Sequence, residues 1–437
     1  MAGAGGAGDG ERRPLELLPF PALRFDEDRV GDLAAVTCPP YDVVGREGIA
    51  RWESAHPYNV VRLVLPRDDA GDDAHEHAAR ELRAWRRAGV LVRDVRPALY
   101  VYEQRLGSAL TRGLVGAVSL HEPGEGVVLP HEDVFPGPVA DRTALMAATE
   151  AQLEPILLTY EGDGPASDVV DRVAAGPADI DTHTADGARH RVWRVTTDAD
   201  LRTIAEDLRA RQALVADGHH RYAAYLALRA SRGSTGDDGS TEARTSAGST
   251  GVEHGLALLV DAHRHPLQLA PIHRSVAGIT PPDAWLRARP AFHDVYRLRA
   301  GEDPLTVLST ARREGPAFAV GDGSAWCLLS RPEPDLLARC LPAERSPAWR
   351  GLDASIAHDL VLRRLWGVDD SDPRVDFHHD RAEAVDRARR TGGVALLLAP
   401  PPLASVLAVA AAGERMPRKS TSFGPKPRTG LLMRLLG

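Results

Sequence analysis

The chain has 437 residues, 43% of them apolar and 26% charged, and a formal net charge of −8. That length predicts two to three globular domains, and the acidic balance excludes a general nucleic-acid coat or a membrane-surface protein, though not a local basic patch. Three scattered cysteines, Cys38, Cys327 and Cys340, exclude a disulfide scaffold or a cysteine-based zinc site and fit a reducing cytoplasm.

Residues 1–14 begin Met-Ala-Gly-Ala-Gly-Gly, have no apolar stretch of the signal-peptide kind, and read as a disordered tail. Residues 15–120 read as an N-terminal α/β region. In it Pro39-Pro40-Tyr41-Asp42 is a rigid turn and 59–66 an apolar strand. Residues 74–88 are an amphipathic helix with Leu82 and Trp85 on one face, stopped by Gly89. Two strands, 97–104 and 111–120, flank a Gly107-Ser108 turn. Residues 121–230 read as a second unit: a strand entering Pro130-His131-Glu132, a helix near 141–150, a strand at 155–160 and a helix near 200–211. Residues 231–252 are rich in Gly, Ser and Thr without apolar period, as in a flexible insertion. Residues 253–415 are again α/β, with strands at 255–260 and 393–398. The apolar stretch 393–412 is broken by Pro400-Pro401-Pro402 and reads as strand, turn and helix, not as a membrane span. Residues 416–437 form a basic, hydroxyl-rich tail with little regular structure implied.

The most informative stretch is 212–225. Gln-Ala-Leu-Val reads as a buried strand, Ala216-Asp217-Gly218-His219-His220-Arg221 as a turn, and Tyr222 onward as a helix. A strand turning over one glycine into a helix leaves backbone N–H groups unpaired at the helix start, where the helix dipole also favours an anion. His219, His220 and Arg221 add donors for a phosphate, and Asp217 adds a group that accepts a proton or holds a metal ion. The bland alternative is a capped turn with solvent-facing histidines.

Three further clusters carry chemistry. His131-Glu132 with Asp141-Arg142 offers a general base or an Mg²⁺ ligand, against a solvated loop. Lys419-Ser420-Thr421 with Lys426 suits polyphosphate or a carboxylate, against a disordered terminus. These are the only two lysines among 53 basic residues, so at least one position reads as needing an ammonium and not a guanidinium fork. Phe377-His378-His379-Asp380 places adjacent histidines on opposite strand faces and reads as structural. No Walker A, Rossmann, kinase, zinc or nucleophile-elbow motif is present, and no metal ligand is assigned.

Taken together, Cys38-Pro-Pro-Tyr-Asp, Pro130-His-Glu, Asp141-Arg142, Ala216-Asp-Gly-His-His-Arg-Tyr and Met416-Pro-x-Lys-Ser-Thr-x-Phe-x-Pro-Lys resemble the bacterial family named domain of unknown function 1015, from Pro19 to Leu432. More distantly, the order of Pro-x-Glu loop, helix, Pro-Ile strand and Gly-x-x-Arg helix is similar to the ParB/sulfiredoxin-like fold. That resemblance implies an α/β fold with mixed sheets and a nucleotide-binding core flanked by N- and C-terminal α/β regions. Within that fold, the sulfiredoxin nucleophile would be a cysteine where this chain has His219. The basic DNA-reading helices of partition proteins have no counterpart after residue 253. Free-serine kinases, which carry an Asp-Gly-His-His-Arg turn, are the nearest functional analogue.

The expectation is a cytoplasmic, nucleotide-dependent phosphotransferase acting on a small hydroxyl compound such as serine. The nucleotide is ATP, ADP or CTP with Mg²⁺. Gly218, His219, His220 and Arg221 cradle phosphates, with Ser420, Thr421 and Lys426 in support. Glu132, or else Asp217, takes the hydroxyl proton, and Lys419 and Lys426 stabilise the transferring group. Tyr41, Asp42, His131, Asp141 and Arg142 are expected to line the acceptor site. Two alternatives stay open: a phosphatase using the same site, and a non-enzymatic ParB-like nucleotide-binding regulator. Nucleic acid and membrane are not expected partners, and a homo-oligomer is left open.

Overall fold

The computed structural model describes residues 13–67, 73–233 and 251–437. Most of the expected tail 1–14 and of the expected insertion 231–252 lies outside them. The chain forms two compact units. Unit 1 comprises the residues up to Pro130, Val134–Leu267 and Pro425–Gly437; unit 2 comprises His131–Asp133 and Gln268–Gly424.

Unit 1 is built on a nine-stranded mixed sheet. In chain order the strands are β1 (Leu17–Leu18), β2 (Leu99–Leu106), β3 (Ala109–Ser119), β4 (Val128–Pro130), β5 (Ile156–Tyr160), β6 (Ile180–His183), β7 (Arg189–Val195), β8 (Ala213–Asp217) and β9 (His254–Asp261). They lie in the order β4-β8-β5-β9-β3-β2-β7-β6, with β1 on β3. Only β8 with β4 and β9 with β5 are parallel. Strands from either side of residue 120 therefore share one sheet, so the boundary expected there divides no compact unit.

The central strands read as unbroken apolar runs because they are covered on both faces. Leu214, Val215, Ile156, Leu157 and Leu158 are all fully buried. The parallel pairing of β8 with β4, with Val215 opposite Pro130, brings both strands to their ends at the same sheet edge. Helices α1 (Ala74–Arg87), α2 (Pro136–Thr149), α3 (Pro165–Ala174), α4 (Asp198–Leu208) and α5 (His219–Gly233) complete unit 1. In α1, Asp73 caps the start by accepting from His75 N, and Gly89 (φ +69°) lies just past the end. Leu82 and Trp85 are buried, each burial stabilising by about 2–3 kcal/mol. Helix α2 starts five residues before the expected point, because Pro136 is preset for the first helical position.

The strand expected at 59–66 is instead a short helix, Val61–Val64. The Asn59 side chain accepts from Val61 N (3.0 Å) and donates to Ala35 O (2.7 Å), so capping decides an apolar run that patterning leaves ambiguous.

Unit 2 carries a six-stranded antiparallel sheet, in the order Phe292–Arg297, Trp326–Pro332, Ala317–Gly321, Val394–Leu397, His273–Val276, Val375–His378. The stretch 393–412 forms the expected strand and helix, the latter at Leu403–Ala411. No described helix is long and apolar enough to cross a membrane. The tail 416–437 is more ordered than expected. Ser422–Gly424 pairs with Gln268–Ala270 in unit 2, and Arg434–Leu435 pairs with Ala151–Gln152 in unit 1. Its apolar residues explain the order: Phe423 is buried in unit 2, and Leu431, Leu432, Met433 and Leu436 in unit 1.

Candidate functional site

The 212–225 stretch folds as its residues demand. Strand β8 ends at Asp217, Gly218 turns the chain at φ +90°, and α5 begins at His219. A Cβ at Gly218 would stand 2.9 Å from Ile156 Cγ2 and 3.2 Å from Arg221 Nε, so glycine is required by conformation and by space.

Arg221 points inward. It is 4% exposed, donates from Nη1 to Pro155 O (2.8 Å) and from Nη2 to Asp217 Oδ2 (2.9 Å), and its Nε is buried without a partner. Burial works against its charge. The carboxylates of Glu154, Asp217 and Asp42 outweigh that and hold its pKa above the usual arginine range. This guanidinium holds Asp217 in place from beneath the turn, in contrast to the phosphate-facing role read from the sequence.

Lys426 reaches the same turn. Its Nζ lies 2.6 Å from Asp217 Oδ1 and 2.7 Å from Asp42 Oδ2. Burial opposes the charge here too, but the two carboxylates raise the lysine pKa. Asp42 is its counterpart: burial pushes the carboxyl up, and Arg221 and Lys426 together pull it below the ordinary value. An ammonium has three N–H donors, so one remains for a ligand. The ammonium itself fills the space between the two carboxylates, and among the described residues no cluster of three His, Cys, Asp or Glu could hold a metal. An Mg²⁺ ion would therefore be held by phosphate and water.

Around this pair the other expected residues of unit 1 assemble. The Tyr41 ring lies under the guanidinium groups of Arg142 (4.5 Å) and Arg221 (5.7 Å), and its backbone N–H donates to Glu154 Oε1 (2.9 Å). Arg142 donates to Val64 O and to Asp141 Oδ2 (both 2.6 Å), and Asp141 also meets His75 Nε2 at 3.0 Å. Burial raises the Asp141 carboxyl, but Arg142 and then His75 pull it below its usual value. Thr429 donates to Glu154 Oε1 at 2.9 Å. A cavity beside the turn is lined by Arg142, Glu154, Arg221 and Tyr225 on its polar side and by Val64, Leu145 and Met146 on its apolar side. His219 is buried; His220 Nε2 accepts the Phe135 backbone N–H at 3.1 Å.

The remaining expected residues lie in unit 2. His131 Nε2 is 2.9 Å from Thr421 Oγ1, which donates to Glu132 Oε1 at 3.0 Å. The one hydroxyl proton goes to Glu132, so His131 is the donor to Thr421, and the three form a directed proton chain. Ser420 donates to Pro417 O at 2.6 Å. Lys419 is exposed, and its carbonyl accepts from the fully buried Arg274 at 3.0 Å.

Glu154, Thr429 and His75 were not anticipated from the sequence. Nor was a chain in which Ser119 Oγ meets His121 Nε2 (2.9 Å) and His121 Nδ1 meets Glu125 Oε2 (3.1 Å). Its order imitates a hydrolase triad. The neighbouring backbone donors are all engaged: Ser119 N with Glu16 O, Leu120 N with Glu253 O, and His121 N with the Tyr222 hydroxyl. The His121 backbone, bonded through its N–H and its carbonyl to the Tyr222 hydroxyl, ties the end of β3 to α5, and these three donors are occupied, not aimed at an oxyanion.

A family model described as "Protein of unknown function (DUF1015)" matches residues 17–355. No curated protein matches the chain. Among solved structures, a free serine kinase variant in complex with AMP aligns at 12% identity over 70% of this chain and 88% of its own, with a TM-score of 0.33. SbnI with a C-terminal truncation, from Staphylococcus aureus, aligns at 12% over 74% and 87% with a TM-score of 0.35. A conserved hypothetical protein from Pyrococcus furiosus aligns at 11% over 70% and 92%, with a TM-score of 0.30. Likeness at this level leaves function to be argued from the chain's own residues.

Proposed function

The chain belongs to the DUF1015 family, whose description names no activity, and from the geometry of unit 1 we propose that it is a nucleotide-dependent phosphotransferase acting on a small hydroxyl compound. The observation that carries this reading is the convergence of the Gly218 turn and Lys426. A glycine turn at a helix start, where the helix dipole favours an anion, is joined by an ammonium that two carboxylates hold in place.

In this reading Gly218 lets a phosphate approach the first N–H groups of α5, and His220 borders it. Lys426 gives its third N–H to a phosphoryl oxygen, where fixed positive charge contributes most to transfer. Arg221 keeps Asp217 oriented. Mg²⁺ arriving with the nucleotide would supply charge neutralisation of its phosphates. Among small hydroxyl acceptors, serine is the first to test. The ParB-like character of the nucleotide core is part of the same proposal.

The test is calorimetric titration with ATP, ADP, CTP and GTP plus Mg²⁺, followed by phosphorus NMR with serine and related hydroxyl compounds. Submillimolar binding and a new phosphoester signal are expected. Release of inorganic phosphate alone would mark a hydrolase, and binding without turnover a nucleotide-sensing switch. Absence of binding to any nucleotide at millimolar concentration would sink the proposal.

A further inference from the structure

We propose that Phe135 is a stacking platform for the nucleobase of the bound nucleotide, a reading that rests on phosphate binding at the Gly218 turn. Phe135 is 56% exposed, and among the described residues it is the one aromatic of unit 1 that stands out among the exposed large apolar side chains. A phenyl ring left in water forgoes stabilisation that burial would give, so its position asks for an occupant.

The support of the ring says which occupant. One face lies nearly parallel to the His220 imidazole, at 16° with centroids 6.0 Å apart. The Phe135 backbone N–H donates to His220 Nε2 at 3.1 Å, which makes that nitrogen the acceptor and fixes the plane of the imidazole. Phe135 caps α2, and Pro136 follows at the first helical position, so the backbone beneath the ring is rigid. The ring is thus held on the phosphate turn itself, two residues from Gly218 through His220. Two features meet there: the helix start, which Lys426 joins through Asp217, and an exposed aromatic face. A nucleobase has the required shape, and a rigid platform costs little entropy to use.

Stacking reads the π-face that every base has, so Phe135 contributes affinity with little choice among bases. The experiment titrates wild type, Phe135→Ala and Phe135→Trp with ATP and with inorganic tripolyphosphate, both with Mg²⁺. Phe135→Ala is expected to weaken ATP about ten-fold and leave tripolyphosphate unchanged, while Phe135→Trp keeps ATP affinity. Because the side chain is exposed, the ligand-free melting temperature of both variants should match wild type. Equal ATP affinity in wild type and Phe135→Ala would overturn the platform while the phosphate reading stands. Equal weakening of ATP and tripolyphosphate would also overturn it, placing Phe135 behind His220. Failure of wild type to bind either ligand would take down the phosphate reading, and the platform with it.

Discussion

Replacing Lys426 with Met tests whether one ammonium holds the site together. Its Nζ stands under 3 Å from both Asp42 and Asp217. At an effective dielectric of about 20, each contact is a gross attraction of roughly 6 kcal/mol, most of which desolvation takes back. Losing one partner of a buried pair costs about 3–5 kcal/mol and of an exposed pair under about 1. Here the lysine side chain is 26% exposed and Asp42 35%, so solvent screening discounts the buried figure to about 2 kcal/mol. For a unit of this size that is a melting-temperature drop of about 4–8 °C. The pH dependence adds a signature. Asp42 has a depressed folded pKa, so its contribution is present above the unfolded value of about 3.9 and lost as pH falls through the folded value. The deficit of Lys426→Met should therefore be full at pH 7 and shrink as pH falls through the carboxylate range. Melts of both proteins between pH 7.5 and 3.5 provide the measurement. A variant as stable as wild type at pH 7, or a deficit independent of pH, would refute the electrostatic account.

Three other outcomes follow from the geometry. Gly218→Ala forces a side chain into φ +90° and against Ile156, and should cost about 2–3 kcal/mol and remove nucleotide binding. Gly45→Ala, where nothing stands within 4 Å and φ is −69°, should leave the melting temperature within a degree or two and is the control. His190 is held neutral chiefly by burial and secondarily by the charge of Arg428, which bring its pKa down to about 4. The fold binds fewer protons than the unfolded chain between about 4 and 6.5, so stability falls as pH drops through that window, by up to about 3 kcal/mol. Denaturant titrations of His190→Gln should give a flatter acid limb than wild type; parallel curves would show that other groups govern acid unfolding.

The parts of the fold legible in the sequence were those encoded locally. The 212–225 stretch announces strand, turn and helix within fourteen residues, and Gly218 takes the positive φ such a turn needs. Helix 74–88 and the hairpin at 97–120 are visible for the same reason, since their periodicity is contained in the segment. The 59–66 run misleads because an apolar run fits strand and buried helix alike, and one asparagine side chain decides. Arg221 shows a second limit. A sequence gives the donor but not its direction, and this guanidinium turns inward to Pro155. Glu154 left no signal beyond being a lone carboxylate ahead of an apolar strand. Lys426 meets Asp42 across 384 residues, a pairing no local pattern reports. The scarcity of lysine and its place in the Met416-to-Lys426 motif mark the residue but not its partner.

The segmentation of unit 1 bears on how the protein is made. Residues 268–424 of unit 2 are translated between the body of unit 1 and the strip Pro425–Gly437 that completes it. At typical elongation rates that interval is roughly 10–30 s. Throughout it Asp42 and Asp217 have been synthesised but their shared ammonium has not. During that time the half-finished unit holds two acidic groups with one cation missing, and the Cys38–Thr429 and Leu23–Met433 pairings are unmade. A nascent chain at this stage should be open to proteases and to chaperone capture at this corner, and the arrival of Pro425–Gly437, not collapse of the N-terminal body, should be the event that closes it.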